Sequence, residues 1–581
     1  MSENKIEIPA TSDLPGFVYD PAFLLMICTG LAYFIFLILR NRNRNTRKGV
    51  LAKARFAGAT ERRAARKLAC ELMEARKHNE VAFYIGTPRN AEIIHEHGKT
   101  TLVLPEDPAT LYIPNAQEMI FVVGAPGSGK SFSVTDPMMR CTTDQGHTIV
   151  AFDYKGYEES ATDLAPTSKL AGYAKERGYQ VYVLAPGSQE SDSCNILDFL
   201  TDSRDGQRAY QLGNVLQQNL KLSGEGSSSG GFFSLAGNQL IQAILMLAKG
   251  SDEYADIALC HKILALPELS KRIAQAKLPQ YQKTAFDNFL ASAGSPETAA
   301  SIASTASIMF SRFMSPEILG VFGNKTSIPL DLKGRTLLIF RMDPQKEAAI
   351  APLMASVIHL IAYRNIFTKR TNPICFFLDE VSTIYLPSLP NLLNLGRSAG
   401  AVFCLAVQSI GLLEKTYGKQ DVEAILGACK TQFIAQLNEN RTAQYYCEQF
   451  GREEVFYQQR SRSSGKGGGS TSRADHQQTR PLVEIQELMQ MLQGEIILLN
   501  PGYKNSKSAR IPYRTRIKIP KRDIQSVKNA GKVWAQIKQQ KIKNNASVPP
   551  TDDELEKREQ LAEQMLPLPT DPLEEQIAAK F

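Results

Sequence analysis

The sequence is short of the patterns that hold metal ions and redox disulfides. Its nine cysteines include no Cys-x-x-Cys pair, so neither a zinc finger nor a thioredoxin-like redox centre is indicated. His95-Glu96-His97 is too closely spaced for a zinc-binding helix and is interpreted as surface. Cys375 and Cys404 fall inside apolar runs, which is typical of buried free thiols in a reducing compartment.

Hydrophobic runs long enough to cross a bilayer are also scarce. Residues 22–39 form one, with eighteen residues and no charge. Five Lys or Arg residues follow between positions 40 and 48, whereas the first sixteen residues are mixed or acidic. By the positive-inside rule, this predicts one transmembrane helix with residues 1–21 outside and the bulk of the chain cytoplasmic. A cleaved signal peptide is disfavoured because the basic cluster lies on the wrong side, and a buried core helix fits that cluster poorly.

Acidic residues are nearly absent from two parts of a chain whose net charge is only +8. Residues 40–68 contain eleven Lys or Arg and one acidic residue, and residues 504–543 contain thirteen and one. The first part lies in a basic juxtamembrane segment, 40–90, for which contact with anionic headgroups is favoured over nucleic-acid binding or a solvated helix face. Since the sequence turns acidic after residue 551, residues 503–581 are predicted to be a basic, then acidic, C-terminal docking tail.

A complete phosphate-binding loop is present at residues 124–131, which read Gly-Ala-Pro-Gly-Ser-Gly-Lys-Ser. The loop follows the apolar run 119–123, and a strand, a glycine-rich turn and a helix start in this order wrap backbone N–H groups around phosphates. Lys130 can reach the β- and γ-phosphates, and the Ser131 hydroxyl suits Mg²⁺. A chance glycine-rich turn is the alternative. The predicted nucleotide-binding residues are Gly124, Ala125, Pro126, Gly127, Ser128, Gly129, Lys130, Ser131 and Phe132.

An acidic pair follows a second apolar run, Ile374-Cys375-Phe376-Phe377-Leu378-Asp379-Glu380. Such a run is typical of a buried parallel strand whose carboxylates emerge at its C-terminal end. Asp379 is predicted to hold Mg²⁺ together with Ser131, and Glu380 to polarise the attacking water. The alternative is an ordinary strand that ends in a solvated turn.

Two more residues are candidates for catalysis. Gln408 ends the next apolar run, 403–407, where an amide can sense the γ-phosphate. Arg397 lies in 396–400, a mobile-looking turn, and could act across a subunit boundary as an arginine finger. A solvated surface residue is the alternative for both. The predicted catalytic residues are therefore Lys130, Glu380, Arg397 and Gln408.

The remaining sequence divides around these motifs. Strand-like runs assign a first part of the nucleotide-binding domain to residues 91–205, and a second part to 321–502. Between them, at 206–320, strand signals vanish and apolar residues recur at helical spacing, which predicts an inserted all-α domain. Residues 460–480 are rich in Ser, Gly, Arg and Gln. They are expected to be a disordered loop that either tracks phosphates or serves as a solvated linker.

Taken together, these features resemble the type IV secretion coupling proteins, the TraG/TraD-like membrane ATPases of conjugation. The resemblance runs from the membrane anchor to about residue 502 and rests on an ordered set of motifs. Besides the two nucleotide motifs, Arg397 and Gln408, the set comprises Asp153-Tyr154-Lys155-Gly156, Asn195-Ile196-Leu197-Asp198-Phe199 and Asn440-Arg441-Thr442-Ala443. This chain departs from the family in having one predicted span where two are common, and in carrying Tyr154 and Ile196 where proline is frequent.

The resemblance implies an α/β fold, namely a RecA-like P-loop ATPase domain with an inserted all-α domain and an N-terminal transmembrane helix. It implies a homo-hexamer at the bacterial inner membrane, with ATP and Mg²⁺ as cofactors. The implied partners are DNA, relaxase and effector proteins, and the type IV secretion channel. Two other functions remain open at this point: an FtsK-like DNA translocase, and a non-catalytic docking receptor for secreted proteins.

Overall fold

The structure is a computed structural model that describes residues 54–96, 99–156, 164–222, 231–292, 294–465 and 468–568, together with positions 29, 31 and 33. Apart from those three positions, the predicted transmembrane helix 22–39 lies outside the described residues. The chain divides into two compact units, Met1–Ala54 with Gly451–Leu482, and Arg55–Phe450 with Val483–Phe581.

The strands of the described residues range from 3 to 14 residues in length. In chain order they are β1 (Phe83–Ile85), β2 (Glu92–Glu96), β3 (Lys99–Val103), β4 (Leu111–Ile113), β5 (Ile120–Val123), β6 (Thr148–Asp153), β7 (Gln180–Leu184), β8 (Thr336–Arg341), β9 (Ile374–Leu378), β10 (Ala401–Val407), β11 (Thr431–Ile434), β12 (Arg452–Gly465), β13 (Gly468–Pro481), β14 (Glu495–Leu499) and β15 (Tyr513–Arg516).

The helices surround these strands. In chain order they are α1 (Ala59–Ala75), α2 (Asp136–Asp144), α3 (Pro166–Glu176), α4 (Gly206–Leu222), α5 (Gly231–Lys249), α6 (Ile257–Leu264), α7 (Leu269–Gln275), α8 (Gln280–Ala285), α9 (Asp287–Ser292), α10 (Pro296–Ser311), α11 (Pro316–Phe322), α12 (Glu347–Ile366), α13 (Leu389–Ala399), α14 (Ile410–Tyr417), α15 (Lys419–Ala428), α16 (Asn440–Phe450), α17 (Ile485–Met489), α18 (Lys521–Asn544) and α19 (Asp552–Met565).

A nine-stranded sheet forms the centre of the second unit, in the order β15-β14-β11-β5-β10-β9-β6-β8-β7. The seven strands from β11 to β7 run parallel, and β14 pairs antiparallel with β11. The parallel strands are continuous apolar runs because helices cover both faces of such a sheet. Strand β10 lies between β5 and β9, with Leu405 beside both Phe121 and Leu378. The segments that follow these three strands therefore emerge at one edge.

The second unit begins earlier in the chain than the predicted boundary at residue 91. Helix α1 buries Ala65, Ala69 and Met73 in the same apolar core as strand β1. These residues recur every four positions, so they line one face of the helix. The basic residues between them occupy the other faces, and they led the sequence analysis to assign this stretch to a juxtamembrane segment.

Between β7 and β8 the described residues contain helices and no strand. The two chain crossings into and out of this helical block run side by side. Ser193 N donates a hydrogen bond to Ser327 Oγ (2.9 Å), and Ser327 N donates to Ser193 O (3.0 Å). The helical block is thus an insertion between β7 and β8, and these hydrogen bonds tie its two crossings together.

The prediction of a disordered loop at 460–480 differs from the structure. Strands β12 and β13 pair antiparallel from Arg452 with Pro481 to Gly465 with Gly468. Backbone hydrogen bonds between two strands do not require apolar side chains, so a polar sequence can still form a hairpin.

The predicted C-terminal tail is instead part of the second unit. Strand β15 extends the central sheet, α18 packs on α3, and α19 packs on α6. Helix α18 buries Ala530, Trp534 and Ile537, while α19 buries Arg558, whose Nε and Nη2 donate to Asp256 Oδ2 at 2.9 and 2.7 Å. The prediction of a tail rested on the charged residues of this stretch, and the inward-facing residues between them are too few to stand out in the sequence.

One helical stretch in the described part of the chain is long and apolar enough to cross a membrane, Pro344–Ile366, and 83% of its apolar window is buried inside the protein. It is a core helix that connects β8 to β9. The eight cysteines within the described residues are free, and all but Cys70 are buried.

Candidate nucleotide-binding and hydrolysis site

The phosphate-binding loop follows β5 and leads into a π-helical turn, Ser131–Thr135, which continues as α2. Pro137 lacks an N–H group and cannot make the usual helical bond, so the wider turn before it accommodates the break. Gly127 and Gly129 have φ angles of +79° and +87°, which residues with a side chain rarely adopt. The loop therefore has the backbone turn that exposes N–H groups at a helix start.

Two segments that the sequence analysis did not single out hold this loop in place. Ala125 N donates to Gln436 O (2.8 Å), and Gly494 N donates to Ser128 O (3.1 Å). A Cβ on Gly129 would lie 3.3 Å from Gly494 N, so the approach is close. Because both contacts come from distant parts of the chain, no local motif marks them.

The structure brings Lys130 and Glu380 together. Lys130 Nζ lies 3.3 Å from Glu380 Oε2, and the two side chains are only 11% and 8% exposed. Glu380 Oε1 also accepts hydrogen bonds from Ser382 Oγ (2.7 Å) and from the backbone N–H of Gln408 (3.3 Å). Glu380 has a left-handed φ of +52°, a strained conformation for a residue other than glycine. The ends of β5, β9 and β10 thus form one site.

Asp379 and Ser131 line the same small cavity, of about 230 Å³, beside the loop. Asp379 Oδ1 is buried and has no hydrogen-bond partner among the described residues. Burial raises the pKa of Asp379 to about 6 and that of Asp136, in the same cavity, to about 7. This buried carboxylate oxygen, in a cavity that Ser131 also lines, fits Mg²⁺, whose few protein ligands are usually supplemented by phosphate and water oxygens.

A second cavity, of about 490 Å³, extends from Glu380 and Gln408 to the helical block. Tyr154 donates its hydroxyl to Glu347 Oε2 (2.9 Å) at this cavity, and burial raises the pKa of Tyr154 to about 12. The cavity also reaches Asn219 on α4. The candidate site at Glu380 and Gln408 is therefore continuous with a space between the sheet and the inserted helices.

The outer part of the loop faces solvent. Pro126 and Gly127 are exposed, whereas Ala125 and Ser128 are buried. Phe132 is 57% exposed at the start of the helix. This places Phe132 at the rim of the site, where an aromatic ring is open to contact with a ligand.

With this geometry established, the chain can be compared with known proteins. The sequence model of the family described as type IV secretory system conjugative DNA transfer matches residues 76–547. The chain belongs to this family.

Curated relatives align over a shorter region. A probable conjugal transfer protein TraG of Sinorhizobium fredii is 33% identical over 130 residues, which cover 22% of this chain and 20% of the relative. The conjugal transfer protein TraG of Agrobacterium fabrum is 31% identical over 153 residues (26% and 23%), and the coupling protein TraD of Escherichia coli is 24% identical over 156 residues (26% and 22%). The chain thus aligns with about a fifth of the length of these relatives.

Solved structures show a similar fold over a longer region. The unbound conjugative coupling protein TrwB superimposes with a TM-score of 0.52 at 15% identity, covering 71% of this chain and 87% of TrwB. TrwB in complex with ADP and Mg²⁺ gives a TM-score of 0.51 at 16% identity, with coverage of 70% and 86%. The chain therefore shares the α/β fold of TrwB over this region.

The other motifs of the family resemblance have visible structural contacts. Asp153 Oδ2 accepts a hydrogen bond from Thr167 Oγ1 (2.7 Å). Asn195 accepts from Leu197 N (3.0 Å) and donates to Ala255 O (2.7 Å), so it caps a short 3₁₀ turn and ties it to the helical block. Thr442 Oγ1 accepts from Ile410 N (3.0 Å). These residues hold segments around the site together.

Arg397 is not brought to Lys130 or Glu380. It lies in the last turn of α13, not in a mobile turn, because Gly400 caps the helix with a φ of +77°. Its Nη2 lies 2.6 Å from Glu118 Oε1, and its side chain is 59% exposed. Helix α13 precedes β10, whose 7 residues span about 23 Å before Gln408. Arg397 thus lies at the end of the sheet opposite to the one that carries Lys130, Glu380 and Gln408.

Proposed function

We propose that this protein is an inner-membrane coupling ATPase of a type IV secretion or conjugation system. In this proposal it recruits relaxase-bound DNA or effector proteins to the secretion channel and uses ATP hydrolysis to drive their transfer. One observation carries the hydrolytic part: Lys130 of the phosphate-binding loop contacts Glu380, next to the unpartnered oxygen of Asp379. The family supports the choice of conjugative transfer over an FtsK-like translocase.

Each residue of the site has a separate role in this mechanism. The loop N–H groups and Lys130 bind the phosphates, and Ser131 with Asp379 would hold Mg²⁺, which neutralises charge on the phosphates when bound. Glu380 orients the attacking water once Lys130 has turned to the nucleotide. Gln408, whose N–H donates to Glu380, senses whether the γ-phosphate is present.

The assembly is part of the same proposal. A homo-hexamer would let Arg397 of one subunit stabilise the transition-state charge in the next, which is the only way that an arginine at the far sheet edge can act on phosphate. The segment 22–39 would anchor each subunit as a single span, with residues 1–21 outside. The central sheet and the helices that cover it would form the motor, with α1 and β1 before residue 91 and β15 and α18 after residue 502, and the helices between β7 and β8 would form the inserted domain.

Steady-state ATP hydrolysis by the purified full chain in detergent tests the proposal, with and without single- and double-stranded DNA. Glu380→Gln removes the water-orienting carboxylate and should lower kcat by about 10²- to 10⁴-fold while ATP still binds. Glu448→Gln, an exposed change on α16, is the matched control and should leave kcat unchanged. Hydrolysis that Glu380→Gln leaves intact would refute the assignment of this site.

A docking receptor without catalysis is distinguished by transfer assays. Lys130→Ala should abolish both ATP hydrolysis and transfer of a plasmid between cells if the protein is a motor. Loss of hydrolysis with normal transfer would instead support the receptor. Turnover that rises with DNA would identify DNA as cargo, and turnover that responds only to a secreted protein would identify protein cargo.

A further inference from the structure

Helix α18 is fixed on the surface of the motor by its inward face. Trp534 is 1% exposed, and the guanidinium of Arg341 lies over its indole ring, with Arg341 Cζ 4.9 Å from the ring centroid. On the facing helix, a Cβ on Gly172 would lie only 1.9 Å from Ala530 O, so α3 and α18 are in close backbone contact. This packing determines which residues of α18 face solvent.

One stripe of exposed residues along α18 consists of lysine and glutamine alone. Its residues are spaced four, three, four, four, three and four positions apart, so they form one stripe along the helix. All seven are exposed: Lys521, Gln525, Lys528, Lys532, Gln536, Gln539 and Lys543. We call these seven residues the basic stripe.

Acidic side chains are kept away from the basic stripe. The helix contains a single one, Asp523, which turns inward and accepts hydrogen bonds from Thr87 N (3.0 Å) and Thr87 Oγ1 (3.1 Å). The two lysines beside the inward face form ion pairs with the rest of the protein. Lys541 Nζ lies 2.5 Å from Asp192 Oδ2, and Lys538 Nζ lies 3.5 Å from Glu190 Oε1. Among the described residues, no acidic side chain forms an ion pair with a lysine of the stripe.

The dimensions and chemistry of the stripe suit a nucleic-acid duplex. From Lys521 to Lys543 the helix rises about 33 Å, close to one turn of B-DNA. Lysine and glutamine both donate hydrogen bonds to phosphate oxygens, and these contacts position a protein without reading sequence. The stripe has no aromatic residue on which the bases of a single strand could stack.

A membrane surface fits the stripe less well than DNA does. A helix that lies in a lipid interface inserts its apolar face into the bilayer. The apolar face of α18 is occupied by the protein itself, through Ala530, Trp534 and Ile537. Only the charged face of α18 is therefore free to contact lipid headgroups.

We propose that the basic stripe of α18 binds the phosphate backbone of double-stranded DNA on the outer surface of the motor. This inference rests on the proposed function, in which DNA is a cargo, and adds the surface that receives it. Since the contacts are to phosphates, binding is independent of sequence and weakens steeply with salt.

The test is fluorescence anisotropy of a labelled 30-base-pair duplex with the full chain, repeated over a range of salt concentrations. The slope of log K against log[salt] should fall in magnitude by about 0.9 for each phosphate contact that is lost. Lys528→Gln with Lys532→Gln should therefore flatten it by about 1.8, and neutralising all four stripe lysines by about 3.6. Charge reversal, Lys528→Glu with Lys532→Glu, should weaken binding further.

Lys277→Gln with Lys283→Gln is the matched control, because it removes two exposed lysines from the helical block. This variant should bind the duplex with the wild-type slope, and basal ATP hydrolysis should be unchanged in every variant. If the stripe variants bind the duplex like wild type, the inference is overturned, while the proposed function with DNA as cargo still stands. A wild-type chain that binds no duplex would overturn both this inference and the DNA arm of the proposed function. Stripe variants that lose only binding to vesicles of anionic phospholipid would assign the stripe to the membrane and overturn the inference.

Discussion

Asn219 joins the inserted helices to the segment that follows the acidic pair Asp379-Glu380. It is 4% exposed on α4, and its Oδ1 accepts from Tyr385 N at 2.7 Å. Its Nδ2 donates to Tyr385 O and to Val215 O, both at 2.8 Å. The same segment carries Ser382, which holds Glu380. One buried amide thus couples two parts of the molecule.

Replacing Asn219 by alanine should destabilise the protein by a calculable amount. Tyr385 N–H and Tyr385 C=O would each lose a partner, and a buried polar group without a partner costs about 1–3 kcal/mol. The gain in helix propensity offsets about 0.6 kcal/mol. For the two groups together, less this gain, we expect a net loss of about 1.5–5.5 kcal/mol. Asn219→Asp keeps the acceptor but sets a carboxylate against two carbonyl oxygens, so it should destabilise as well.

Urea unfolding monitored by circular dichroism measures the loss of unfolding free energy. Steady-state ATP hydrolysis measures the effect of Asn219→Ala on kcat. Asn214→Ala, five residues earlier on the same helix, is the control that reports the gain in helix propensity. Because the segment that positions Glu380 is loosened, kcat of Asn219→Ala should fall while the KM for ATP stays within about twofold. A stability within about 0.5 kcal/mol of the Asn214→Ala variant, together with normal kcat, would refute this reasoning.

Three other predictions follow from the packing and the buried charges. Gly172→Ala should displace α18 and cost more than about 2 kcal/mol in urea unfolding, whereas Gly427→Ala, whose Cβ would meet nothing within 4 Å, should not destabilise. Arg558→Ala leaves Asp256 buried without its partner, so it should cost about 3–5 kcal/mol and let limited proteolysis release α19. Burial lowers the pKa of His359 to about 4, below its ordinary 6.5, so the stability that depends on its neutral form is present above pH 6.5 and is lost as the pH falls towards 4. His359→Leu should reduce this acid-dependent loss by up to about 3 kcal/mol, measured as unfolding free energy at pH 7, 5.5 and 4.

The sequence predicts the candidate site well in two cases. Either the motif is local, or the direction of a strand decides at which end of the sheet the next residues lie. The turn after β5 needs glycines, and parallel strands deliver their following residues to one edge, so the meeting of Lys130 and Glu380 was predictable. The same rule explains Arg397. It precedes β10 instead of following it, and therefore lies at the other edge.

Contacts between distant segments left little trace in the sequence. Gln436 and Gly494 hold the phosphate-binding loop through backbone atoms, which any residue type possesses. In α1 and α18 the inward residues are few and are separated by basic ones, so the count of charges concealed two amphipathic helices. Trp534 was the strongest available signal, since a large aromatic residue in a basic stretch usually packs against something.

The packing of α18 on α3 also has a consequence for biosynthesis. A ribosome that has made Gly172 must add more than three hundred residues before Ala530 emerges, which takes roughly 20–70 s at ordinary rates of translation. During this interval the outer face of α3 has no cover, and the phosphate-binding loop has not yet met Gly494. A nascent chain that has not reached Gly494 therefore lacks one of the two backbone hydrogen bonds that hold the phosphate-binding loop, and it exposes the apolar face of α3 that α18 later covers.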